Sequence, residues 1–544
     1  MSDATEPGAT PRVLTAVLVV VNLPIVVATV RALVRGWQPL GDNDILLVRV
    51  RDVFTEHHPL IGMASSASVV VGEHVNHPGP LFFDLLTLPV MVLGPWVGLA
   101  VGVMLTNMAS SSLAVIAANR IGGRDAAIAV GLVTAGLQFA MGSELLFDAW
   151  QPNAMLLPSM AFLVCVWGLA VAGRLMMAPS VFGLGSLLVQ THLGHVPLVG
   201  ALTLGALGAV VWRLARGGRD GWRRAAAWTL VVTFVCWLQP LIEQFAVEDG
   251  ANLSAMARSA TASDAPTIGF SLSVRLVAEA LVVQPWFTRS SYATAVPEYA
   301  NPADPGLPVT SLVPALVIII VLVAALIACA IVTWRRGRRP AATMSGVAVA
   351  AVVTVVVAVT VSPINAIGLA PHQMRWAWAV GAFATASIVT TVAPTLRARL
   401  GDHLVHAGVA LAAVVAVANL PTHPGSSGPM MFDSQLPKAR NLVNQLDALV
   451  GRGPVLYDPI GQRFMEPFSG LTFAQLQDLG IPFVFDHDGF VQQFGESRRN
   501  TGHAVLRMWQ AEGSSALVIP PGAERVAFVD DAGGPVAIFV EPID

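Results

Sequence analysis

Residues 37–44 read WQPLGDND and place two carboxylates directly after the first apolar segment of the chain. Two His-Pro pairs follow, at residues 58–59 and 77–78, before the next long apolar segment begins. Ionisable residues kept at the mouth of a membrane helix more often serve function than structure. The stretch therefore identifies Asp42 and Asp44 as the first candidates for a working site.

The composition around this stretch is that of a polytopic membrane protein. Of 544 residues, 54% are hydrophobic and 12% are charged, whereas a soluble domain carries about 25% charged residues. The net charge of −3 is too small to indicate a nucleic-acid partner. The three cysteines lie in apolar runs and predict no disulfide framework. Lys438 is the only lysine among many arginines, and the abundance of Ala, Val and Gly favours a GC-rich, actinobacterial source.

Apolar segments of sufficient length predict eleven membrane spans, because a span needs about 20 mostly apolar residues. They cover residues 13–34, 96–118, 126–147, 154–173, 178–193, 196–213, 226–246, 312–334, 342–361, 372–394 and 404–420. The first is longer than the apolar core of a signal peptide and lacks a small-residue cleavage site. We interpret it as a retained anchor.

Arginine clusters predict the orientation of the spans, since arginine-rich loops stay in the cytoplasm. Four such clusters are separated by even numbers of predicted spans: 120–124, 213–224, 335–339 and 397–399. The N-terminus is then cytoplasmic and the C-terminus extracytoplasmic, for a multi-pass protein of the plasma (inner) membrane.

The same parity predicts two domains. Residues 1–420 form a transmembrane domain with large outer loops at 35–95 and 247–311, and residues 421–544 form a small extracytoplasmic α/β domain.

Two surface-lying helices are predicted in the first outer loop. Leu81–Leu93 is apolar but too short to span, which is typical of an interfacial helix. Charged and apolar residues alternate at helical spacing in Ile45–Glu56, which predicts the second.

The α/β domain is predicted from short β-branched and aromatic runs between turn residues. The predicted strands are 455–457, 483–485, 516–519, 525–529 and 536–540, and the predicted helices are 441–450 and 473–479.

Asp42 and Asp44 are the predicted catalytic pair. Residues i and i+2 share a face only in an extended chain, which the preceding Pro39-Leu40-Gly41 favours. A carboxylate there can take a proton from an acceptor hydroxyl or hold a divalent metal. The alternative is a pair of solvated acids that cap the following helix.

Asp148 lies in FDAWQPN, residues 147–153, at the outer end of the third predicted span. It can face the Asp42/Asp44 pair across a cavity, where it would orient an acceptor or share a Mg or Mn ion with Asp44. The alternative is an acid at a helix end in water.

Four further residues near outer span ends are predicted to bind substrate: His58, His77, Gln190 and His192. Histidines there can contact phosphate or carry protons, and no spacing matches a zinc motif. For each histidine the alternative is a structural position at the membrane interface.

Glu243 and Arg375 complete the predicted substrate contacts. Glu243 lies near the outer end of the seventh span, and Arg375 begins the tenth from outside. The planar guanidinium can bind two phosphate oxygens at once. The alternative for Arg375 is an extension to the lipid headgroups.

Nucleotide chemistry has no support in the sequence. No Walker motif, zincin motif or Gly-x-Ser-x-Gly elbow is present. Nucleotide-driven transport by this chain alone is therefore disfavoured.

The order of these motifs resembles the GT-C superfamily of membrane glycosyltransferases. The resemblance rests on GDND at residues 41–44, HPGPL at 77–81 and a span ending in NRIGGR at 119–124, the last two being similar to protein mannosyltransferases and lipid A aminoarabinose transferases. It covers the first 160 residues best. The chain departs from the family in the Gly-Pro after its second His-Pro pair and in Asp-Asn-Asp where adjacent acids are more common.

The resemblance implies inverting transfer of a sugar from a polyprenyl-phosphate donor, in contact with membrane lipids, to a glycan, lipid or protein acceptor of the cell envelope. It implies that Asp42 or Asp44 deprotonates the acceptor and that Arg375 or a metal stabilises the leaving phosphate. The alternative from another class is a transporter or flippase of an envelope lipid or polysaccharide, which predicts charges near the bilayer midplane. A scaffold protein without catalysis is a third reading. The acids cluster at outer span ends, which favours the enzyme.

Overall fold

Long apolar helices build most of the chain, as the hydropathy predicts. The computed structural model describes residues 8–68, 74–171, 174–218, 220–246, 251–262, 266–283, 309–364, 373–420, 432–460 and 466–543. Residues 284–308 of the predicted outer loop 247–311 and the predicted domain boundary at 421 lie outside the described residues, so the boundary stays a prediction.

The main helices of the first domain are numbered in chain order. They are α1 (Pro11–Val34), α2 (Asp42–Asp52), α3 (Leu81–Leu93), α4 (Pro95–Met141), α5 (Leu156–Ala170), α6 (Ala178–Thr191), α7 (Val196–Ala215), α8 (Trp222–Ala246), α9 (Asn252–Ala262), α10 (Gly269–Ala278), α11 (Leu312–Arg335), α12 (Arg339–Val361), α13 (Ala377–Leu400) and α14 (His403–Asn419).

Eight helices among the described residues are long and apolar enough to cross a membrane. Two predicted spans, 96–118 and 126–147, form the single element α4 of 47 residues. A straight helix of that length would measure about 70 Å, roughly twice the thickness of the hydrocarbon core. The chain changes direction at Gly123, whose φ of 73° and ψ of −162° suit only glycine. Because α6 and α14 are shorter, the total of eleven spans stays a prediction.

Three of the four predicted cytoplasmic arginine clusters meet at one end of the bundle. Arg124 Nη2 lies 3.1 Å from Asp402 Oδ1, and Arg397 pairs with Asp125. Arg338 donates to carbonyl oxygens of α13, one to two turns before Arg397. Three of the four arginine-rich loops therefore share one end of the bundle, as the parity requires. The side of the membrane that this end occupies stays a prediction.

The C-terminal domain is a five-stranded mixed sheet in the order β2-β1-β3-β5-β4. β1 is parallel to β2 and β3, and β5 is antiparallel to β3 and β4. The strands are β1 (Val455–Asp458), β2 (Phe483–Phe485), β3 (Leu506–Glu512), β4 (Glu524–Asp531) and β5 (Gly534–Pro542), and the helices are α15 (Leu436–Val443), α16 (Phe468–Asp478), α17 (Asp488–Phe494) and α18 (Ser514–Leu517).

Four of the five predicted strands are present, and the strand predicted at 516–519 is wrong. Ala516 belongs to α18 and packs against the buried Phe539 on one face of the sheet. The sequence prediction missed β3, in which buried Leu506, Met508 and Gln510 alternate with less buried Arg507 and Trp509. Such a mixed strand has no continuous apolar run to identify it.

Helix α2 belongs to the cores of both domains. Leu46, Leu47 and Val50 pack in the core of the membrane domain, whereas Leu40 and Val48 pack in the core of the C-terminal domain. The α/β domain is therefore built directly onto the predicted first outer loop.

A buried ion pair fixes this attachment at the far end of α2. The Asp52 carboxylate is fully buried and lies 2.7 Å from Arg498 Nη2. Gln477 donates to the same carboxylate at 2.8 Å, and Arg49 lies 3.9 Å away. Every charged group in this junction has a partner from the opposite domain or from α2 itself.

We expect Arg498→Met to lower the free energy of unfolding of the C-terminal domain by about 3 kcal/mol, because a buried carboxylate then loses its main counter-charge. Denaturant unfolding of the detergent-solubilised protein measures this change. Arg452→Met is the matched control, since Arg452 pairs with Glu524 where the two side chains are 37% and 56% exposed. Equal destabilisation by both variants would contradict a special contribution of the buried pair.

Candidate active site

Asp42 and Asp44 lie in the first turn of α2, which begins three residues earlier than predicted. Gly41 precedes the helix with a φ of 66°, a conformation that glycine adopts at little cost. At 3.6 residues per turn, side chains two positions apart diverge by about 200°. The extended arrangement predicted for this pair is wrong, and the two carboxylates face different surroundings.

Asp42 lines a recess that water can reach. Its side chain is exposed, although Asn43 and Asp44 beside it are buried. The surrounding protein raises the pKa of Asp42, the Asp148 carboxylate raises it further, and a hydrogen bond with the Trp150 side chain opposes both effects. An acid that is accessible and has a raised pKa is suited to accept a proton.

Asp148 lies beside Asp42 and is held by three donors. Asn43 Nδ2 and the Trp150 backbone N–H donate to its Oδ1 at 2.8 and 3.2 Å, and Asn153 Nδ2 donates to its Oδ2 at 2.6 Å. Burial raises the pKa of Asp148, whereas these hydrogen bonds and the positive charge of Arg375 act in the opposite direction. The donors fix the orientation of both carboxylate oxygens.

Arg375 joins the same group through Asn153. Its Nη1 donates to Asn153 Oδ1, and its guanidinium carbon lies 5.6 Å from the centre of the Trp378 ring. The side chain is only 7% exposed, so it does not extend to the lipid headgroups. The structure thus brings three predicted residues, Asp42, Asp148 and Arg375, into one connected array.

Asp44 points away from this array, towards the C-terminal domain. It is fully buried, and a Cβ atom added to Gly470 of α16 would lie 3.0 Å from its Cβ. Neither of its carboxylate oxygens has a hydrogen-bond partner among the described residues. Burial raises the pKa of Asp44 well above its ordinary value of 3.8. This position fits neither of the predicted roles, base or metal ligand.

The described residues do not fit the metal site predicted from Asp44 and Asp148. Asp44 faces the other domain, and both oxygens of Asp148 already accept hydrogen bonds. In the described parts of the chain, no three His, Cys, Asp or Glu side chains are grouped so that they could hold an ion. The participation of Mg or Mn stays a prediction without a ligand set.

A row of histidines borders the end of α6 and the start of α7. The ring centres of His77 and His192 are 5.2 Å apart, and those of His192 and His195 are 5.9 Å apart. The His195 ring lies 6.2 Å from Trp376, next to Arg375 in sequence. Burial and the neighbouring histidines hold the pKa of His77 well below its usual range. His77 is therefore a neutral hydrogen-bonding group at neutral pH.

Gln190 closes a small cavity between this row and the Asp148 segment. Its Nε2 donates to the Cys236 carbonyl at 2.6 Å, and its Oε1 has no partner among the described residues. The cavity measures about 10 Å³ and is lined by Gln151 as well as Gln190. That is room for about one water molecule.

His58 and Glu243 have structural contacts. His58 Nε2 lies 3.2 Å from Gln239 Oε1, which belongs to α8. Glu243 accepts the backbone N–H of Asn252 at 3.0 Å, at the start of α9. These contacts tie outer-loop segments to α8 and supply no link to Asp42.

Sequence reasoning missed three residues of the site: Asn43, Trp150 and Asn153. All three stand inside the quoted motifs GDND and FDAWQPN, beside the acids that the charge pattern identified.

The whole fold of this chain is similar to that of a membrane protein of known structure. Two solved structures carry it: ArnT from Cupriavidus metallidurans bound to undecaprenyl phosphate, with a TM-score of 0.54, and the same protein in the apo state, with a TM-score of 0.52. Each is 14% identical and covers 95% of this chain and 97% of its own. The predicted class, a polytopic helical membrane protein with a small C-terminal sheet, is confirmed.

Sequence comparison identifies no relative of this chain beyond these structural neighbours. No protein-family model matches the chain, and no curated protein matches it significantly. The likeness is therefore one of fold, and the activity has to be argued from the site.

We expect Asp44→Asn to flatten the dependence of stability on pH. The pKa of Asp44 is raised in the folded state, so its stabilising contribution is complete below 3.8 and is lost as pH rises through the folded pKa. The wild type should lose stability over this window, and the variant should not. Denaturant unfolding between about pH 4 and pH 8 measures the difference. Asp447→Asn, at an exposed acid, should keep the wild-type dependence; an unchanged Asp44→Asn would contradict the burial.

Proposed function

We propose that this chain is an inverting glycosyltransferase that moves a sugar from a polyprenyl-phosphate donor to a hydroxyl group of a cell-envelope acceptor. The observation that carries the proposal is the array at the recess, where the accessible Asp42 stands beside Asp148 and the buried Arg375. The fold supports it, since ArnT with the same fold is bound to undecaprenyl phosphate. The described residues give no specific support to a transporter.

Asp42 acts as the general base. Its carboxylate takes the proton of the acceptor hydroxyl while that oxygen forms a bond to the anomeric carbon of the sugar. The bond between this carbon and the phosphate oxygen breaks on the opposite face, and its electron pair leaves with the lipid phosphate. The configuration at the anomeric carbon inverts, and the proton stays on Asp42. A base works best when its pKa lies near the operating pH. The surrounding protein and the Asp148 carboxylate raise the pKa of Asp42 in that direction.

Arg375 stabilises the leaving phosphate. A guanidinium group can bind two phosphate oxygens in its plane. Because the side chain is largely excluded from water, its charge is screened less than at the protein surface. Stabilisation of charge that develops during transfer accelerates the reaction more than uniform binding does.

His77, His192 and Gln190 line the adjacent part of the site. Buried neutral imidazoles and an amide can donate hydrogen bonds to phosphate or sugar oxygens without adding charge. Their place beside Trp376 and Arg375 supports contacts with the donor.

The acceptor enters from the outer face of the inner membrane. Arg375 lies just before α13 and Arg397 lies in its last turn. Arg124 begins the second half of α4, and Asp148 follows the end of that half. If the arginine-rich end is cytoplasmic, the Asp42 array is extracytoplasmic. Acceptors of the cell wall or envelope, whether glycan, lipid or protein, are available on that side.

We expect Asp42→Asn to lower kcat by about 10²- to 10⁴-fold, the usual contribution of a general base. Transfer is measured with purified protein and a panel of radiolabelled polyprenyl-phosphate sugars. Asp44→Asn is the matched control, two residues away in the same helix turn, and should keep most of the activity. Equal turnover of the wild type and Asp42→Asn would remove Asp42 as the base.

We expect Asp148→Asn to move the acid limb of the kcat–pH profile to lower pH. Activity rises as Asp42 loses its proton, and the Asp148 charge raises the pKa of Asp42. Removing that charge lets Asp42 ionise at lower pH. Asp84→Asn, at an acid of α3 that bonds Gln239, is the control and should leave the limb in place. A shift of the limb to higher pH in Asp148→Asn would contradict the coupling.

A further inference from the structure

The first turn of α2, which carries Asp42, is in direct contact with a helix of the C-terminal domain. A Cβ atom at Gly470 of α16 would lie 2.8 Å from the Gly41 carbonyl oxygen and 3.3 Å from Ile45 Cγ1. It would also lie 3.0 Å from Asp44 Cβ. Atoms at such distances leave no space for any side chain, so the backbone of α16 packs directly on this turn.

A second part of the C-terminal domain covers the same turn from another side. A Cβ atom at Gly41 would lie 2.7 Å from Cε2 of Phe432. The residue immediately before Asp42 is therefore enclosed by the Phe432 ring on one side and by Gly470 on the other.

The two helices run side by side in the same direction. Gly470, near the start of α16, faces the start of α2, and Asp478, at its end, pairs with Arg51 at 2.7 Å. Arg51 also donates to the Ala474 carbonyl at 3.3 Å. Contacts along the whole length determine the position of α2 both across and along its axis.

The same domain also contacts the segment that leads to His77. Gln492 Nε2 donates to Asn76 Oδ1 at 3.1 Å, and Asn76 Nδ2 donates to the Gln492 carbonyl at 3.0 Å. The Ala64 N–H donates to Gln493 Oε1 at 3.0 Å. One domain therefore holds both parts of the first outer loop that border the recess.

Helix α2 cannot hold this position by its own stability. It has 11 residues and no side-chain cap at its N-terminus. Isolated helices shorter than about 12–15 residues are marginal in water. Its orientation therefore depends on packing, and on the side of the C-terminal domain this packing comes from α16 and Phe432.

We propose that the C-terminal domain positions Asp42 for catalysis and that Gly470 is the positioning residue in the contact. This inference rests on the proposed function, in which Asp42 is the base. Gly470 touches no substrate and acts only through the first turn of α2. A displacement of a reacting group by about 1 Å can cost about 10²-fold in rate.

Gly470→Ala tests the proposal. Alanine is favoured over glycine in a helix interior, so the substitution does not weaken α16 and acts through its contact with α2. We expect kcat to fall about 10- to 100-fold while the KM for the donor changes by less than about twofold. The acid limb of the pH profile should also shift, because Asp42 moves relative to Trp150 and Asp148. Gly346→Ala, at a glycine of α12 with open space around it, is the control and should match the wild type.

Phe432→Ala is the second variant, since it loosens the turn without a clash. It should lower kcat in the same way as Gly470→Ala. If Asp42→Asn loses transfer while both variants turn over like the wild type, the positioning role is overturned and the proposed function stands.

A stability measurement tests the contact even if the protein shows no transferase activity. If the wild type transfers no sugar from any donor, the proposed function fails. The contact can still be tested, because the pH dependence of stability reports the burial of Asp44. Gly470→Ala should admit water to this carboxyl and reduce the loss of stability with rising pH. An unchanged dependence would overturn the close contact of α16 with the turn.

Discussion

The packing of one short helix between two cores is the constraint on which the rest of the outer region depends. Neighbouring residues of α2 divide between the domains, so that Leu47 packs in the membrane core and Val48 in the core of the α/β domain. The buried pair of Asp52 and Arg498 adds little net stability compared with apolar packing of the same volume. The pair instead fixes the position of α2 along its axis, because burying either charge without its partner would be costly. A fixed register of α2 is what places Asp42 at the recess.

Two identical side chains in this helix show how surroundings assign chemistry. Asp42 and Asp44 have the same intrinsic acidity, and the pKa of each is raised by the protein. Water reaches Asp42, which also has polar neighbours in Trp150 and Asp148, so its proton can be exchanged with a substrate. Asp44 has no partner for its oxygens among the described residues and is closed off by Gly470. Close protein surroundings with access to water and polar contacts produce an acid–base group, whereas full burial without polar contacts favours the neutral acid.

The parts of this arrangement that follow from local pattern could be predicted from the sequence. Long apolar runs predicted the helical bundle. The location of Asp42, Asp148 and Arg375 at predicted span ends marked them as candidates, and the structure shows them in one array. The start of α2 was missed because the periodic pattern begins later, while Gly41 permits the helix to begin at Asp42. Asn43 and Asn153 were missed because amides carry no charge and stand out only once their partners are known. The pair of Asp52 and Arg498 joins residues 446 positions apart, a separation at which no local pattern gives a signal.

The array at the recess also explains how an acid can be kept beside the proposed phosphate site. Asn153 stands between Arg375 and Asp148, accepting a hydrogen bond from the cation and donating one to the anion. Opposite charges joined through an amide are close enough to stabilise each other without direct contact. An anionic donor bound at Arg375 would offset the positive charge that stabilises the ionised form of Asp148. It would also raise the pKa of Asp42 further, because both are negative charges in a region of reduced screening. The base would then hold the acceptor proton most strongly when a donor is in place, and the transfer of proton and sugar would be coupled through a single electrostatic array.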